Sequence, residues 1–436
     1  MSVKEFAVGF REMKKAIGIL VLGLVWCNVG FAVSLESILE KANRYTVEIY
    51  NSIERPFIEE SSYAGKGTGF LVNKEKGLII TNAHVSGSSP ATNEVNFKNE
   101  EPIPAKQVYI DPELDLAILK VEPDLIPDNA LEGQLECKFN YHQGANTVAF
   151  GHPYGQNFTI TRGIISGIRF DKLAGFEAIQ TDTPINPGNS GGPFIDISSG
   201  LIIGISSFGL EDTEGLNFAL PSYHVCKVLK LFQEGKDPSP LNFNILFSSN
   251  DRLGEYLVVS AVLKKQNRLQ VSDRILKANG VSVLNPTGLS TATRGNENVR
   301  LEIERKGKTI TLNLRLKPRG SLTNRKGLVV SNALIENKFI SSYSETSEKV
   351  YNPNKQLVVQ SVEAGLASGK LKGRDIILFV DGKKITNVDD LYNYLQDKDS
   401  VQFILRSRGY FGDELIFYDR HETLKIKDLK FLEFDK

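Results

Sequence analysis

Between about residues 47 and 220 the chain consists of short apolar runs separated by Gly, Pro, Asn and Asp. Gly69-Phe70-Leu71-Val72, Gly77-Leu78-Ile79-Ile80, Leu116-Ala117-Ile118-Leu119, Thr147-Val148-Ala149-Phe150 and Leu201-Ile202-Ile203-Gly204-Ile205 are examples. Regular short strands with turn signals between them predict an all-β barrel or sandwich. A helix over residues 222–232 is predicted to close this region. The Glu234-Gly235-Lys236-Asp237-Pro238-Ser239-Pro240 stretch then reads as a linker.

Beyond the linker lies a repeat. Leu269-Gln270-Val271-Ser272-Asp273-Arg274-Ile275-Leu276-Lys277-Ala278-Asn279-Gly280 matches Leu371-Lys372-Gly373-Arg374-Asp375-Ile376-Ile377-Leu378-Phe379-Val380-Asp381-Gly382 at an offset of 102 residues. The same offset aligns residues 299–304 with 401–406, and the turn glycine Gly307 with Gly409. One register held over two separated strands indicates two copies of a domain of about a hundred residues, longer than the units of a solenoid.

The 436 residues suffice for two to four domains with more than one core. Lys+Arg and Asp+Glu both number 52, and no basic stripe stands out, so a nucleic-acid partner is excluded. At the N-terminus, Lys4, Arg11, Lys14 and Lys15 precede an uncharged, largely apolar stretch from 16 to 34. A basic segment, an apolar run and small residues predict a secretory signal over 1–32; the alternative is an uncleaved membrane anchor. After cleavage Cys137 and Cys226 remain, free to pair or not in an oxidising compartment.

Three segments carry chemistry. Thr81-Asn82-Ala83-His84-Val85 follows an apolar strand, Asp115 opens the strand Leu116-Ala117-Ile118-Leu119, and Asn186-Pro187-Gly188-Asn189-Ser190-Gly191-Gly192-Pro193 surrounds a serine with glycines. A serine hydroxyl is a weak nucleophile at neutral pH; it needs a base within reach, and the base needs a partner that fixes its tautomer. Backbone N–H groups must also face the developing oxyanion, at roughly 3–4 kcal/mol per donor. The chain order His84, Asp115, Ser190 is that of the chymotrypsin triad. An α/β-hydrolase elbow would need Asp and His after the serine and a helix directly behind it, whereas Pro193-Phe194-Ile195-Asp196-Ile197 reads as a strand. Gly65-x-Gly67-x-Gly69 precedes a strand and so reads as a turn, not a phosphate loop. His142, His152, His224 and His421 lack companion motifs and read as structural or surface residues. No Cys/His/Asp cluster has metal-ligand spacing, and no cofactor is expected.

With Gly67-Thr68-Gly69-Phe70, Gly163-Ile164-Ile165-Ser166 and Leu216-Asn217-Phe218-Ala219-Leu220-Pro221, these motifs make the chain from about residue 45 onward resemble the HtrA/Deg proteases. The resemblance implies a mainly β chain: a trypsin-like double β-barrel, followed by two PDZ-like partly open β-barrels with short helices. The protease domain is expected over 33–235, the first PDZ-like domain over 236–320 and the second over 321–436. It implies His84 as general base, Asp115 as its orienter and Ser190 as nucleophile. Gly188 and Ser190, with Asn189 assisting, would form the oxyanion hole. It further implies periplasmic quality control of unfolded polypeptides, peptide C-termini or extended segments bound at the PDZ domains, and assembly into trimers or their multiples. The competing function is an exported, peptide-binding chaperone with proteolysis weak or regulated. For the substrate pocket, Ile185, Asn186, Leu216, Asn217 and Phe218 are the candidates; no acid occupies Pro184-Ile185-Asn186-Pro187, which predicts aliphatic rather than basic P1 residues. Three departures from the family pattern stand out: Asn217 replaces a glycine, the loop between Tyr50 and Gly65 is short, and Lys264-Lys265-Gln266-Asn267 replaces a small-residue loop in the first repeat. Leu241-Asn242-Phe243-Asn244-Ile245 is that repeat's candidate peptide-binding loop.

Overall fold

The computed structural model describes residues 34–435 apart from 58–59, 153–157, 172–174, 211–214, 249–256, 264–267, 344–348 and 413. Residues 1–32, expected to form a secretory signal, and the 264–267 loop lie outside the described residues. Helix α1 (Leu35–Tyr45) begins at Ser34, whose hydroxyl accepts from the Ser37 N–H at 3.1 Å, and buries Ile38, Ala42 and Tyr45.

Short apolar runs bounded by turns close into two six-stranded barrels. The first contains β1 (Thr46–Ile53), β2 (Tyr63–Asn73), β3 (Leu78–Thr81), β4 (Thr92–Phe97), β5 (Ile103–Asp111) and β6 (Leu116–Lys120) in the order β1-β2-β3-β6-β5-β4. The second contains β7 (Asn146–Gly151), β8 (Thr159–Phe170), β9 (Glu177–Thr181), β10 (Pro193–Asp196), β11 (Ile202–Gly209) and β12 (Asn217–Pro221) in the order β7-β8-β9-β12-β11-β10. The connectivity is the same in both, and closure leaves neither barrel a free edge. A four-residue helix, α2 (Ala83–Ser86), interrupts the first barrel after β3. Helix α3 (Ser222–Gln233) follows β12 and buries Val225, Val228 and Leu231. The cysteines left open by sequence are joined: Cys226 of α3 forms a disulfide with Cys137, their Cα atoms 5.7 Å apart.

The two repeats form two further sheets, each with its own core. The first repeat has β13 (Ile245–Ser248), β14 (Leu257–Val262), β15 (Arg274–Ala278), β16 (Val281–Ser282), helix α4 (Pro286–Thr293), β17 (Asn298–Arg305) and β18 (Lys308–Arg315). The second has β19 (Lys326–Val330), β20 (Ala333–Tyr343), β21 (Lys349–Val362), β22 (Ile376–Val380), helix α5 (Val388–Leu395), β23 (Ser400–Phe411), β24 (Glu414–Lys425) and β25 (Lys430–Glu433). The 102-residue register places β15 opposite β22 and β17 opposite β23, but its third element needs correction. Gly307 sits in the β17–β18 turn, whereas Gly409 lies inside β23 paired with Ile416, because the second hairpin is longer and turns at Gly412.

The stretch read as a linker is packed rather than loose: Pro238, Ser239 and Pro240 are buried. The cause is Arg294 at the end of α4, which is fully buried against the first barrel. Its guanidinium pairs with Asp111 at 2.6 Å, donates to the Pro238 carbonyl at 2.6 Å and to the Tyr109 hydroxyl at 3.4 Å. Nearby, His224 of α3 meets Thr291 of α4 at 2.7 Å, and burial pushes its pKa down to about 3, so it is neutral. A buried ion pair contributes little against an apolar pair of equal volume, but breaking one side strands a charge. Arg294→Ala should therefore cost about 3–5 kcal/mol in urea unfolding, and the Arg294→Met/Asp111→Leu double variant less than the sum of the two single changes. A cost under about 1 kcal/mol for Arg294→Ala would contradict this packing account.

Candidate active site

The first barrel supplies two of the three predicted groups. Asn82 ends β3 and heads α2, so His84 projects one residue into a helical turn. Asp115 precedes β6 in a left-handed backbone conformation, φ +50°. The main chains interlock, since the Asp115 carbonyl accepts from the Ala83 N–H at 3.1 Å and the Asn82 side-chain amide at 2.8 Å. The Asp115 carboxylate in turn accepts from the His84 N–H at 3.0 Å and from His84 Nδ1 at 2.7 Å. That bond assigns the proton to Nδ1 and leaves Nε2 as the basic nitrogen. Burial disfavours the imidazolium, but the hydrogen bond and charge of Asp115 outweigh it, and the His84 pKa is raised above 6.5.

The second barrel supplies Ser190 and the loop before it. Asn189 N–H donates to the Asn186 carbonyl at 2.9 Å, with Pro187 second and Gly188, at φ +106°, third in the turn. These are the residues a type II turn requires. Among the described residues no acceptor meets the Gly188 or the Ser190 N–H. Strand β2 holds the loop: the Thr68 N–H donates to the Ser190 carbonyl at 2.9 Å and its hydroxyl to the Gly188 carbonyl at 2.6 Å. Gly191, at φ +84°, has no room for a side chain, because a Cβ there would stand 2.1 Å from the Thr68 carbonyl oxygen. His152 is buried behind this loop, 3.1 Å from the Thr68 hydroxyl, with its pKa pushed down to about 4 by burial. It is a neutral support, in keeping with its structural reading.

Ser190 Oγ donates at 2.7 Å to the Ser207 carbonyl, not to His84. Ser207 is a site residue that sequence reasoning missed. It lies at a register shift of the β11–β12 ladder between Ser206 and Phe208, so its backbone is released from pairing. Its hydroxyl crosses to the other barrel and donates to Asp115 Oδ2 at 3.0 Å. No motif marks it; the only signal was a polar Ser206-Ser207 pair in an apolar strand. A second missed residue is Asp111, whose Oδ1 accepts from the Glu113 and Leu114 N–H groups at 2.9 and 3.3 Å while Oδ2 holds Arg294. It braces the turn leading into Asp115.

The pocket candidates gather beside this centre. Ile185 is buried, and its N–H donates to Asn217 Oδ1 at 3.3 Å, so the Asn217 side chain reaches from β12 to the 184–187 segment. Phe218 is buried and stacked on Phe208 at 5.0 Å, Leu216 is half-buried, and Asn186 is held in the type II turn. Among the described residues, no group of three or more His, Cys, Asp or Glu side chains is placed to hold a metal ion.

A sequence model described as a trypsin-like peptidase domain matches residues 67–205. The chain is 29% identical over 388 residues to a probable periplasmic serine endoprotease, DegP-like, of Chlamydia pneumoniae, covering 79% of this chain and 74% of that one. It is 27% identical over 379 residues to the periplasmic serine endoprotease DegP of Salmonella typhimurium, covering 80% and 76%. The solved HtrA-type protease AlgW with tripeptide shares its fold, with a TM-score of 0.53 at 23% identity over 66% of this chain and 97% of that one.

The sign of the pH dependence expected of a base at His84 Nε2 follows from the same contacts. Asp115 stabilises the protonated ring, so the active neutral form is lost as pH falls through a pKa above 6.5. Activity should rise along one acid limb whose midpoint lies above that value. Asp115→Asn should lower the midpoint and cut kcat by roughly 10⁴. A midpoint unmoved by Asp115→Asn would show that the carboxylate does not act through His84.

Proposed function

We propose that this chain, a serine-type endopeptidase similar to the HtrA/Deg proteins, hydrolyses unfolded or damaged polypeptides in the periplasm through an acyl-enzyme on Ser190. The single observation that carries this assignment is the Asp115 carboxylate bound at 2.7 Å to His84 Nδ1 and at 3.0 Å to Ser207, whose carbonyl holds Ser190 Oγ. For attack, the Ser190 hydroxyl must turn from that carbonyl to His84 Nε2. The ring then takes the proton as Oγ attacks the scissile carbonyl carbon. Gly188 and Ser190 N–H groups receive the oxyanion, with Asn189 keeping the turn between them. The imidazolium gives its proton to the leaving amine, and water repeats the sequence on the ester. The Asp115–His84 hydrogen bond and the Asp115–Ser207–Ser190 link support hydrolysis over peptide binding alone.

Cleavage should follow small and medium aliphatic P1 residues. Nothing in Pro184-Ile185-Asn186-Pro187 neutralises a buried Lys or Arg, and the Asn217 side chain, tied to Ile185, takes space from a large ring. Leu216 and Phe218 supply apolar wall. Each matched methylene is worth about 1–3 kcal/mol, so the preference is graded, which suits a protease of varied unfolded chains. The remaining parts of the reading rest on the family: export by residues 1–32, a protease unit to about 235 followed by PDZ-like units to 320 and 436, and a trimer-based assembly. Extended segments or C-termini of substrates would add to the free edge of β13 in the first repeat.

Casein hydrolysis by the full chain tests the assignment: Ser190→Ala should abolish it while leaving the unfolding transition in place. Mass-spectrometric mapping of cuts in reduced, unfolded proteins should show a majority after Val, Ala, Ile or Leu. A majority after Lys or Arg would refute the pocket, and wild-type turnover by Ser190→Ala would refute the nucleophile. Asn217→Gly should shift cuts towards Phe and Tyr.

A further inference from the structure

The two repeats share a register but not a sheet edge. In the first, the order is β13-β14-β15-β17-β18, and β13 is the outermost strand. In the second, the order is β25-β19-β20-β21-β22-β23-β24. The inner strands correspond pair by pair: Leu257↔Ile275 matches Leu357↔Ile377, and Ile245↔Val262 matches Ala333↔Val362. Each outer strand is also entered through a left-handed asparagine, Asn244 at φ +49° and Asn332 at φ +75°. Strand β20 is therefore the counterpart of β13. Among the described residues no strand covers the outer edge of β13, whereas β19 covers that of β20 through Gly327↔Glu336, Leu328↔Ile335, Val329↔Leu334 and Val330↔Ala333.

A module of this kind takes an extended peptide as an added strand whose alternate side chains enter a groove beside a helix. Strand β19 meets that description. Leu328 and Val330 are fully buried in one core with Val388, Leu391 and Leu395 of α5, and the Lys326 ammonium pairs with Asp389 in the first turn of that helix. The tether is as short as a hairpin allows. Ser331 (φ +51°) and Asn332 (φ +75°) are both left-handed between the paired Val330 and Ala333, which defines a two-residue type I′ turn. A strand so tethered competes with any free peptide at an effective concentration in the millimolar range or above.

The other side of β19 faces the protease. Val329 shares a buried cluster with Phe57, Ile110, Leu334 and Phe434, together with Ala83 beside His84 and Ala117 just after Asp115. Strand β25 pairs with the outer edge of β19 from Lys326↔Glu433 to Val329↔Lys430; Phe431 packs at a tilt against Tyr392 of α5, ring centroids 4.5 Å apart, and Phe434 meets Phe57 edge-on at 5.9 Å. Polar contacts close the border: the Ile110 N–H donates to the Ser321 hydroxyl at 2.9 Å, and Arg55 pairs with Glu363 at 2.6 Å.

We propose that the second repeat is a self-liganded brace rather than a peptide receptor: residues 326–330 of its own chain fill its peptide groove, and their opposite face holds the barrel segments that carry His84 and Asp115. This rests on the PDZ-like reading of the repeats but not on the chemistry assigned to Ser190. Of the two grooves, it leaves substrate peptides the one beside β13.

The test uses the full chain carrying Ser190→Ala, so that no added peptide is cut and loss of catalysis cannot confuse the result. Hydrogen exchange followed by mass spectrometry should find 326–338 slowed by roughly a hundredfold or more over unstructured chain, with no ligand present. A synthetic peptide of residues 325–331, Arg-Lys-Gly-Leu-Val-Val-Ser, with a benzophenone amino acid in place of Leu328, should give no photo-crosslink to 333–338 or to α5 at about 1 mM. Exchange of 326–330 at the unstructured rate would overturn the proposal, as would a crosslink at either place, because the groove would then be open.

Discussion

The carboxylate of Asp115 is where the two barrels are held to one geometry. It receives the His84 main-chain and ring donors from its own barrel and the Ser207 hydroxyl from the other. Three donors suppress the cost of keeping a charge half out of water, and they fix which nitrogen of His84 is basic. The left-handed backbone at Asp115 costs on the order of 1–3 kcal/mol, offset by the bonds its carbonyl accepts from Ala83 and Asn82. Without Ser207 the barrels would still pack, but nothing polar would tie the carboxylate to the strand against which the nucleophile rests.

Each added unit bears on this point from a different side. The first repeat reaches it through Arg294, whose partner Asp111 caps the turn entering Asp115. The second reaches it through Val329 and Phe434, which pack with Ala83 and Ala117 on either side of the His84–Asp115 pair. The oxyanion loop is independent of both, being stitched to β2 by Thr68 and shaped by Pro187, Gly188 and Gly191. The geometry of the base and that of the oxyanion donors therefore depend on separate contacts. Changes in the repeats should disturb the first more than the second.

Much of this was legible in the chain. Short runs with breakers gave the barrels, because strand length and turn chemistry are local. The serine loop announced itself for a similar reason: a type II turn and a close approach demand Pro and Gly at set places. Ser207, Arg294 and the disulfide were not legible, since each acts across a long stretch of chain and none has a local signature. Asn217 was singled out as a residue in place of a glycine, and its bond to Ile185 shows what its side chain does there. The repeat register located β15, β17, β22 and β23 but misplaced the Gly409 turn, because hairpin length is set by pairing and not by the register. Nothing in the sequence of residues 326–330 sets them apart; only sheet order distinguishes a ligand position from a first strand.

The claim that Asp115 and His84 activate Ser190 is tested most directly by the rate at which a fluorophosphonate labels the intact protein, with the modified residue located by peptide mass spectrometry. One label is expected, on Ser190, slowed by several orders of magnitude in His84→Ala and strongly in Ser207→Ala, whose missing hydroxyl frees the carboxylate. Labelling of another residue, or of Ser190 at an unchanged rate without His84, would contradict it.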